Sequence, residues 1–387
     1  MCVGFACDMP PFDPRDANAA GHPWEPEYRR INPAFYDAAE RRIFHLLDQG
    51  LLPMLVAMWG YHLHFMGIER VRAHWRHFLA RYGALPAVLV LCGEATLPWY
   101  PLIGKGGEGK EQTAQWTDVM RAVKSAHAFG RPLTVHPGPP LWFNDAPYPP
   151  LTDMALPDFH LGMGGHGGAE EMPQLLELLR AMDRLRAAHG KPVIVSEALW
   201  ENMNGGCGPK IQRAQFWHAV LRGAPGHCYG ADALWQMNSR ARPFGASPLG
   251  FTWGNAPWEE AYQWPGSRHV AAGKRILERF EWWRLQPRPD WLTRADHGDR
   301  APVASAAGIG EEQRLFYFTA WPCREVALCG LEPGSPYSAT YFDPLDAGEH
   351  PLASPLLADA RGQAAPPAPP VNHDWVLALS RASDRGR

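Results

Sequence analysis

Short apolar runs alternate with amphipathic stretches along the first 237 residues. The stretch 31–50 predicts a helix, with Asn32 as N-cap, Pro33 in the first turn and Gly50 as the stop signal. Further predicted helices cover 68–83, 111–130, 172–189 and 209–222. Between them, buried strands are predicted within 51–60, 87–95, 132–138, 158–168, 191–201 and 226–237.

Apolar strands separated by amphipathic helices predict a parallel sheet covered by helices. These six strands, with residues 1–8 as a seventh at their head, fall one short of the eight strands of a TIM (β/α)8-type barrel. The expected fold class is therefore α/β, a TIM (β/α)8-type barrel lacking its first β/α unit.

The pattern changes after Trp264. A helix is predicted over 268–284, followed by a Pro-rich stretch and then by short alternating runs separated by Gly, Pro and Asp. We expect a barrel catalytic domain over 1–285, a linker over 286–300 and a small C-terminal antiparallel β-sandwich domain over 301–387.

Charge and composition limit the possible partners. The formal net charge is −3, and no apolar run reaches the ~20 residues of a membrane span, so neither nucleic acid nor a membrane is expected as a partner. The seven cysteines are odd in number and lack a CxxC pair, which favours reduced thiols and a cytoplasmic location. A lost N-terminus could still have carried a secretion signal, so localisation stays open, as does the oligomeric state. The 17 tryptophans suit a carbohydrate substrate, because flat apolar rings stack on sugar faces.

Chemically reactive side chains recur where the predicted strands end. Two of these ends carry glutamates, Glu94 and Glu197, on the fourth and seventh strands of the expected barrel. Active-site residues of such barrels lie at the carboxyl ends of strands, and two carboxylates there suit glycosidic bond cleavage. The candidate substrate-binding residues at or near the strand ends are Trp59, His136, His166, Trp200, Tyr229 and Trp235.

The sequence resembles the apiosidase-like family of bacterial (β/α)8-barrel proteins, glycoside hydrolase family 140 and its relatives. The matching stretches are NPAFYDAAERRIFHLLDQGLLPMLVAMWG, RYGALPAVLVLCGE, LTVHPG, GGHGG, PVIVSEALWE and GAPGHCYGADALWQ. The C-terminal segment resembles the β domain often appended in that family and described as collagen-binding. The resemblance implies Glu94 as acid/base and Glu197 as nucleophile. We expect a retaining double displacement between these carboxylates, exo-action because long loops follow the fourth, fifth and eighth strands, and no metal or other cofactor. The sequence departs from the family at Glu94, because Asp is frequent at that position, and the sugar specificity is therefore open. Apiose in plant pectin is the family's named substrate.

Other readings remain open at this stage. Glu94 could instead pair with Arg81 or Lys105, Glu201 and Asp232 could be solvated or supporting, and His227 is expected to be a packing residue. A metal-dependent amidohydrolase would use His136, His166 and Asp232, although the HxH of YHLH (61–64) follows the wrong strand for that role. A non-catalytic carbohydrate-binding barrel is the third possibility.

Overall fold

The computed structural model describes residues 1–102, 110–138, 149–164, 171–235, 237–246, 254, 256–320 and 326–381. The chain divides into two compact units. The first contains residues 1–163 and 244–252, and the second contains residues 164–243 and 253–387.

The first unit is built on a parallel sheet. Its strands β1 (Met54–Val56), β2 (Val88–Val90) and β3 (Leu133–Thr134) are hydrogen-bonded in that order, and β4 (His160–Met163) follows along the chain. The N-terminal segment runs parallel to β1 along its free edge, where Cys2 bridges Val56. The strands are shorter than predicted; Pro53, which has no N–H to donate, directly precedes β1.

Four helices of the first unit pack around this sheet. They are α1 (Pro33–Asp48), α2 (His62–Met66), α3 (Ile68–Tyr82) and α4 (Lys110–Ala126). The first and third agree with prediction within two residues. The helix predicted over 111–130 ends earlier, because the His127 ring accepts the Arg131 N–H at 2.8 Å and Gly130 adopts a φ of 60°.

The second unit begins with a helix, a strand and a helix, followed by three further helices. They are α5 (Glu171–His189), β5 (Val193–Glu197), α6 (Pro209–Leu221), α7 (Asp232–Trp235), α8 (Trp258–Ala261) and α9 (Pro265–Leu277). Residues 226–231 run parallel to β5 and its continuation, bridging Val195 to His227 and Glu201 to Ala231.

Two predictions for this region were wrong in extent. The strand predicted over 226–237 turns into the helical turn α7 after Ala231. The helix predicted over 268–284 begins at Pro265 and ends at Leu277, where the chain tightens and the Phe280 N–H bonds to the Leu277 carbonyl at 2.9 Å.

The second unit ends in an antiparallel sheet, as predicted. Its strands are β6 (Gln286–Pro287), β7 (Asp296–His297), β8 (Ala301–Pro302), β9 (Ala304–Ile309), β10 (Gln313–Phe318), β11 (Pro336–Phe342), β12 (Glu349–Pro351), β13 (Leu356–Leu357) and β14 (Trp375–Arg381). The main sheet has the order β12-β11-β14-β10-β9-β6, with β13 on β11, while β7 and β8 form a separate pair. The stretch 286–300, expected as a linker, therefore contributes β6 to this sheet; the domain boundaries themselves stay a prediction.

Both faces of the main sheet are buried. On β10, Leu315 and Tyr317 join the core around α6, whereas Phe316 and Phe318 join a second core with Trp291 and Trp375. Two isolated bridges, Leu292–Leu328 and Leu328–Ala364, join residues of that second core. The structure thus establishes a C-terminal antiparallel sheet, and the expected β-sandwich stays a prediction. In the described residues, no helix is long and apolar enough to cross a membrane.

Candidate active site

Three of the predicted site residues lie together in the first unit, where adjacent parallel strands end. The ladder continues past the strands, because the Gly60 N–H bonds to the Gly93 carbonyl at 2.6 Å and the Ala95 N–H to the His136 carbonyl at 2.9 Å. Trp59, Glu94 and His136 consequently follow β1, β2 and β3 at the carboxyl ends of these strands.

Glu94 is the centre of this group. The Trp59 indole N–H donates to Glu94 Oε2 at 2.8 Å, and the Glu94 backbone N–H points to His136 Nδ1 at 3.4 Å. The Glu94 side chain is buried, and its φ of 46° is unusual for a residue other than glycine. The alternative partner Arg81 is bound to Asp37 and Glu40 instead, and Lys105 lies outside the described residues.

A glycine allows the tryptophan to approach Glu94. The Trp59 ring lies flat on Gly93, where an added Cβ would come within 2.4 Å of the ring. Gly60 is equally confined, because its Cβ would lie 2.7 Å from the Glu94 carbonyl oxygen. The dipeptides Trp59-Gly60 and Gly93-Glu94 therefore pack closely together, and this packing holds the Glu94 carboxylate against the Trp59 indole N–H.

The second unit repeats this arrangement around Glu197, the last residue of β5. The Trp200 indole N–H points to Glu197 Oε1 at 3.4 Å, a long contact, and the Trp200 ring lies on Gly230, where a Cβ would come within 2.2 Å. Trp235 lies beside Trp200, with ring centroids 5.9 Å apart. The Glu197 carbonyl accepts the Gly164 N–H at 2.7 Å, and its side chain is buried.

Tyr229 is held by a buried carboxylate. Its hydroxyl donates to Glu201 Oε2 at 2.6 Å, and the Gly266 N–H at the start of α9 lies 3.0 Å from the same oxygen. Burial, and then the Glu201 hydrogen bond, raise the pKa of Tyr229 far above its usual value. Glu201 is thus a supporting residue rather than a solvated one, and the Tyr229 hydroxyl is already engaged.

Two glutamines of α6 hold the backbone just after Glu197. Gln215 Oε1 accepts the Leu199 N–H at 2.9 Å, while Gln212 Nε2 donates to the Leu199 carbonyl at 2.8 Å. Both side chains are fully buried, and Gln215 also donates to Gln212 at 2.9 Å. Buried backbone groups need such partners, so this pair fixes the segment that carries Glu197 and Trp200.

Asp232 is buried and His227 is half-buried in the second unit. Burial raises the pKa of Asp232 to about 7 and lowers the pKa of His227 to about 4. His227 packs edge-on against Phe216, with ring centroids 5.6 Å apart, in line with its expected packing role. His166 lies outside the described residues.

The sequence matches the family model described as apiosidase-like, catalytic domain, over residues 11–284. This match covers more than half of the chain. The chain belongs to the apiosidase-like family. The resemblance expected from the strand-end motifs is confirmed.

Solved structures agree with the α/β fold of this apiosidase-like chain. A glycoside hydrolase family 5 protein from Bacteroides vulgatus is similar with a TM-score of 0.70 and 18% identity, over 91% of this chain and 75% of that one. A second structure, titled glycoside hydrolase, gives a TM-score of 0.69 and 19% identity over 90% and 78% of the two chains. No curated protein matches the sequence. The fold is therefore glycoside hydrolase-like, with an appended antiparallel sheet.

The metal hydrolase hypothesis requires His136, His166 and Asp232, of which His166 lies outside the described residues. Within the described ranges, no group of three or more His, Cys, Asp and Glu side chains could hold a metal ion. Two polar residues of the apiosidase-like chain, Asp8 and Tyr100, were not among the predicted site residues. Asp8 closes the apolar run VGFACD much as Glu94 closes VLCGE, a signal that could have identified it.

Proposed function

We propose that this apiosidase-like chain is a retaining, exo-acting glycoside hydrolase of plant or microbial carbohydrate, with Glu197 as nucleophile and Glu94 as acid/base. The observation that carries the proposal is the family match, to which the structure adds two buried glutamates at strand ends, each paired with an indole N–H. We further propose that these strands belong to a (β/α)8-type barrel, in which the active site lies at the carboxyl ends of the strands, as the family resemblance implies.

The reaction would proceed in two displacements. A Glu197 carboxylate oxygen attacks the anomeric carbon while the bond to the leaving oxygen breaks and Glu94 donates its proton to that oxygen. In the second step, Glu94 takes a proton from water, the water oxygen bonds to the anomeric carbon, and Glu197 is released. The mechanism requires the two carboxyl groups about 5–5.5 Å apart on either side of the bond.

The two tryptophans have distinct roles in this scheme. The Trp200 indole N–H points to Glu197 Oε1 and would orient the carboxylate for attack. The Trp59 N–H binds Glu94 Oε2 and stabilises the ionised form, which is the form needed to activate water in the second step. Trp59, His136, His166, Trp200, Tyr229 and Trp235 are proposed to line the sugar site, with Tyr229 contributing its ring because its hydroxyl is bound to Glu201.

The test begins with hydrolysis of 4-nitrophenyl glycosides, the β-D-apiofuranoside included, and of apiose-bearing pectin fragments. We expect Glu197→Gln to lower kcat at least about 1,000-fold while sugar binding, measured by calorimetry, persists. Glu278→Gln, a change at an exposed glutamate of the same unit, should leave kcat unaltered. Proton NMR of the first sugar released should show the starting anomeric configuration.

Other outcomes would redirect the assignment. Binding without turnover of any glycoside by the wild type would make the chain a carbohydrate-binding protein. Inverted product, or a crystal structure with the carboxyl groups about 6.5–9.5 Å apart, would replace the double displacement by a single one.

A further inference from the structure

The N-terminal segment ends on the same side of the sheet as Glu94. It lies parallel to β1, because the Val3 N–H bonds to the Val56 carbonyl at 2.8 Å and the Trp59 N–H to the Phe5 carbonyl at 2.8 Å. Parallel neighbours end at the same side of a sheet, so the residues after Phe5 emerge beside Trp59 and Glu94. Asp8 is the carboxylate at this position.

Asp8 is held in a strained conformation. Its φ is 62°, and its side chain is 2% exposed. The hydroxyl of Tyr61 fixes the surrounding turn, lying 2.7 Å from the Met9 carbonyl oxygen and 3.1 Å from that of Ala6. A buried carboxylate in the left-handed region is disfavoured unless its surroundings compensate, and such strain concentrates at functional sites.

Tyr100 connects Asp8 to the Glu94 site. Its hydroxyl donates to Asp8 Oδ1 at 2.6 Å. Tyr100 follows Glu94 by six residues, after a turn in which the Leu97 N–H bonds to the Glu94 carbonyl at 2.9 Å. Burial, and after it the carboxylates of Asp8 and Glu94, hold the pKa of Tyr100 well above its usual value. The phenol thus stays a donor, and both carboxylates lie near enough to influence it.

Asp8 and Glu94 share a second property. Three acidic residues in the described parts of the chain have a positive φ, namely Asp8, Glu27 and Glu94. Glu27 is exposed, whereas Asp8 and Glu94 are buried at the edge of one sheet. The groups placed around Glu94 are then Trp59 on the β1 side, His136 after β3, and Tyr100 with Asp8 behind it.

We propose that Asp8 is a positioning residue of the Glu94 site, acting through Tyr100. The Asp8 carboxylate fixes the phenol beside Glu94 and places a negative charge behind it. That charge favours the protonated form of Glu94 and offsets the Trp59 N–H, which favours the ionised form. The inference rests on the proposed function, in which Glu94 must give a proton to the leaving oxygen.

The kinetic test compares two leaving groups on the same sugar. Proton donation matters for a poor leaving group such as methanol and little for 2,4-dinitrophenol, which departs as an anion. Asp8→Asn keeps the shape, and Tyr100→Phe removes the hydroxyl. Each should lower kcat about tenfold or more for the methyl glycoside and less than about threefold for the dinitrophenyl glycoside. Equal losses on both substrates, or none, would overturn the proposal.

Tyr341→Phe is the matched control for this comparison. The Tyr341 hydroxyl donates to the Pro367 carbonyl at 2.6 Å inside the C-terminal sheet, so the change removes a comparable hydrogen bond elsewhere. We expect it to leave the ratio of the two rates unaltered.

A double-mutant cycle makes the inference independent of turnover. The urea midpoints of Asp8→Asn, Glu94→Gln and their double variant should be non-additive, because Asp8→Asn removes the charge that favours the protonated form of Glu94, and Glu94→Gln removes the group that responds to it. Asp8→Asn combined with Glu278→Gln should be additive. If the wild type hydrolyses no glycoside, the proposed function fails while the cycle still decides whether Asp8 couples to Glu94; additivity there would refute the coupling itself.

Discussion

Single residues fix the geometry of the candidate site through close packing. Trp59 and Trp200 can each reach a glutamate only because a glycine, Gly93 or Gly230, leaves room for the ring. The same tight packing forces several histidines into the core as neutral rings. His74 is fully buried, with its Nδ1 accepting the Trp24 indole N–H at 3.1 Å and its Nε2 lying 3.0 Å from the Ala57 carbonyl.

The burial of His74 predicts a dependence of stability on pH. Burial lowers the pKa of His74 to about 3, against about 6.5 in the unfolded chain. The unfolded state therefore takes up a proton first as the pH falls, so the stability present above pH 6.5 is lost between about 6.5 and 3. At pH 5 that loss amounts to about 2 kcal/mol.

His74→Gln tests this dependence. The variant should be less stable than wild type at pH 7. This difference should shrink by about 2 kcal/mol at pH 5, because only the wild type has a histidine at position 74 that is protonated in the unfolded state and neutral in the folded state. Urea unfolding at both pH values measures it, with His45→Gln on the exposed face of α1 as control. A difference independent of pH would show that His74 titrates alike in both states.

At the scale of elements, α6 connects two parts of the second unit. One face holds the Leu199 backbone through Gln212 and Gln215, and the other face binds the C-terminal sheet. Arg213 forms two hydrogen bonds to Asp374, at 2.8 and 2.7 Å, and Tyr317 donates to the same carboxylate at 2.9 Å. The sheet is in this way anchored to the helix that supports the Glu197 segment.

The buried Arg213–Asp374 pair yields the second stability prediction. Arg213→Met leaves the buried Asp374 carboxylate without its cation and should cost about 3–5 kcal/mol. Adding Asp374→Leu removes that carboxylate, so the double variant should recover a large part of the loss. Arg240→Met, which breaks the exposed pair with Glu260, should leave the urea midpoint unchanged. A double variant no more stable than Arg213→Met would contradict this account.

At the scale of the whole molecule, the C-terminal sheet completes the core of the second unit. Trp217 of α6 stacks on Tyr317 of β10, with centroids 6.1 Å apart and an angle of 17°. His218 lies 2.8 Å from the Ser305 hydroxyl and 2.7 Å from that of Thr319. The family match ends at residue 284, yet the buried outer face of α6 depends on residues beyond it.

A chain ending at residue 285 should therefore fail to fold as an independent catalytic domain. It would expose Trp217, Val220 and the unpaired polar groups of His218 and Arg213, and we expect it to be insoluble or to lose cooperative unfolding. Solubility and thermal unfolding followed by circular dichroism measure this against the full chain. A soluble truncated chain with the full chain's midpoint would make the sheet a separate module.

Local signals determined the helices and the candidate residues. Asn32, Pro33 and Gly50 placed α1 within two residues, and apolar runs ending in Glu94 and Glu197 marked the strand ends. Strand lengths and the end of α9 escaped prediction, since hydrogen-bond partners distant in sequence set them. Asp8 ends the predicted strand over 1–8, but its partner, Tyr100, is 92 residues away, so short spacings did not indicate their pairing.

The sequence by itself determined the periodicity, the family and the position of two glutamates after buried strands, because these depend on residue types and on short spacings. Only the tertiary structure decided what each polar group binds. Tyr229 is hydrogen-bonded to Glu201, and the Leu199 backbone is hydrogen-bonded to two glutamines of α6. The surface of α6 packs against a sheet that begins inside the expected linker. Such pairings join residues far apart in the chain, and a buried polar group acquires its partner only when the core closes around it.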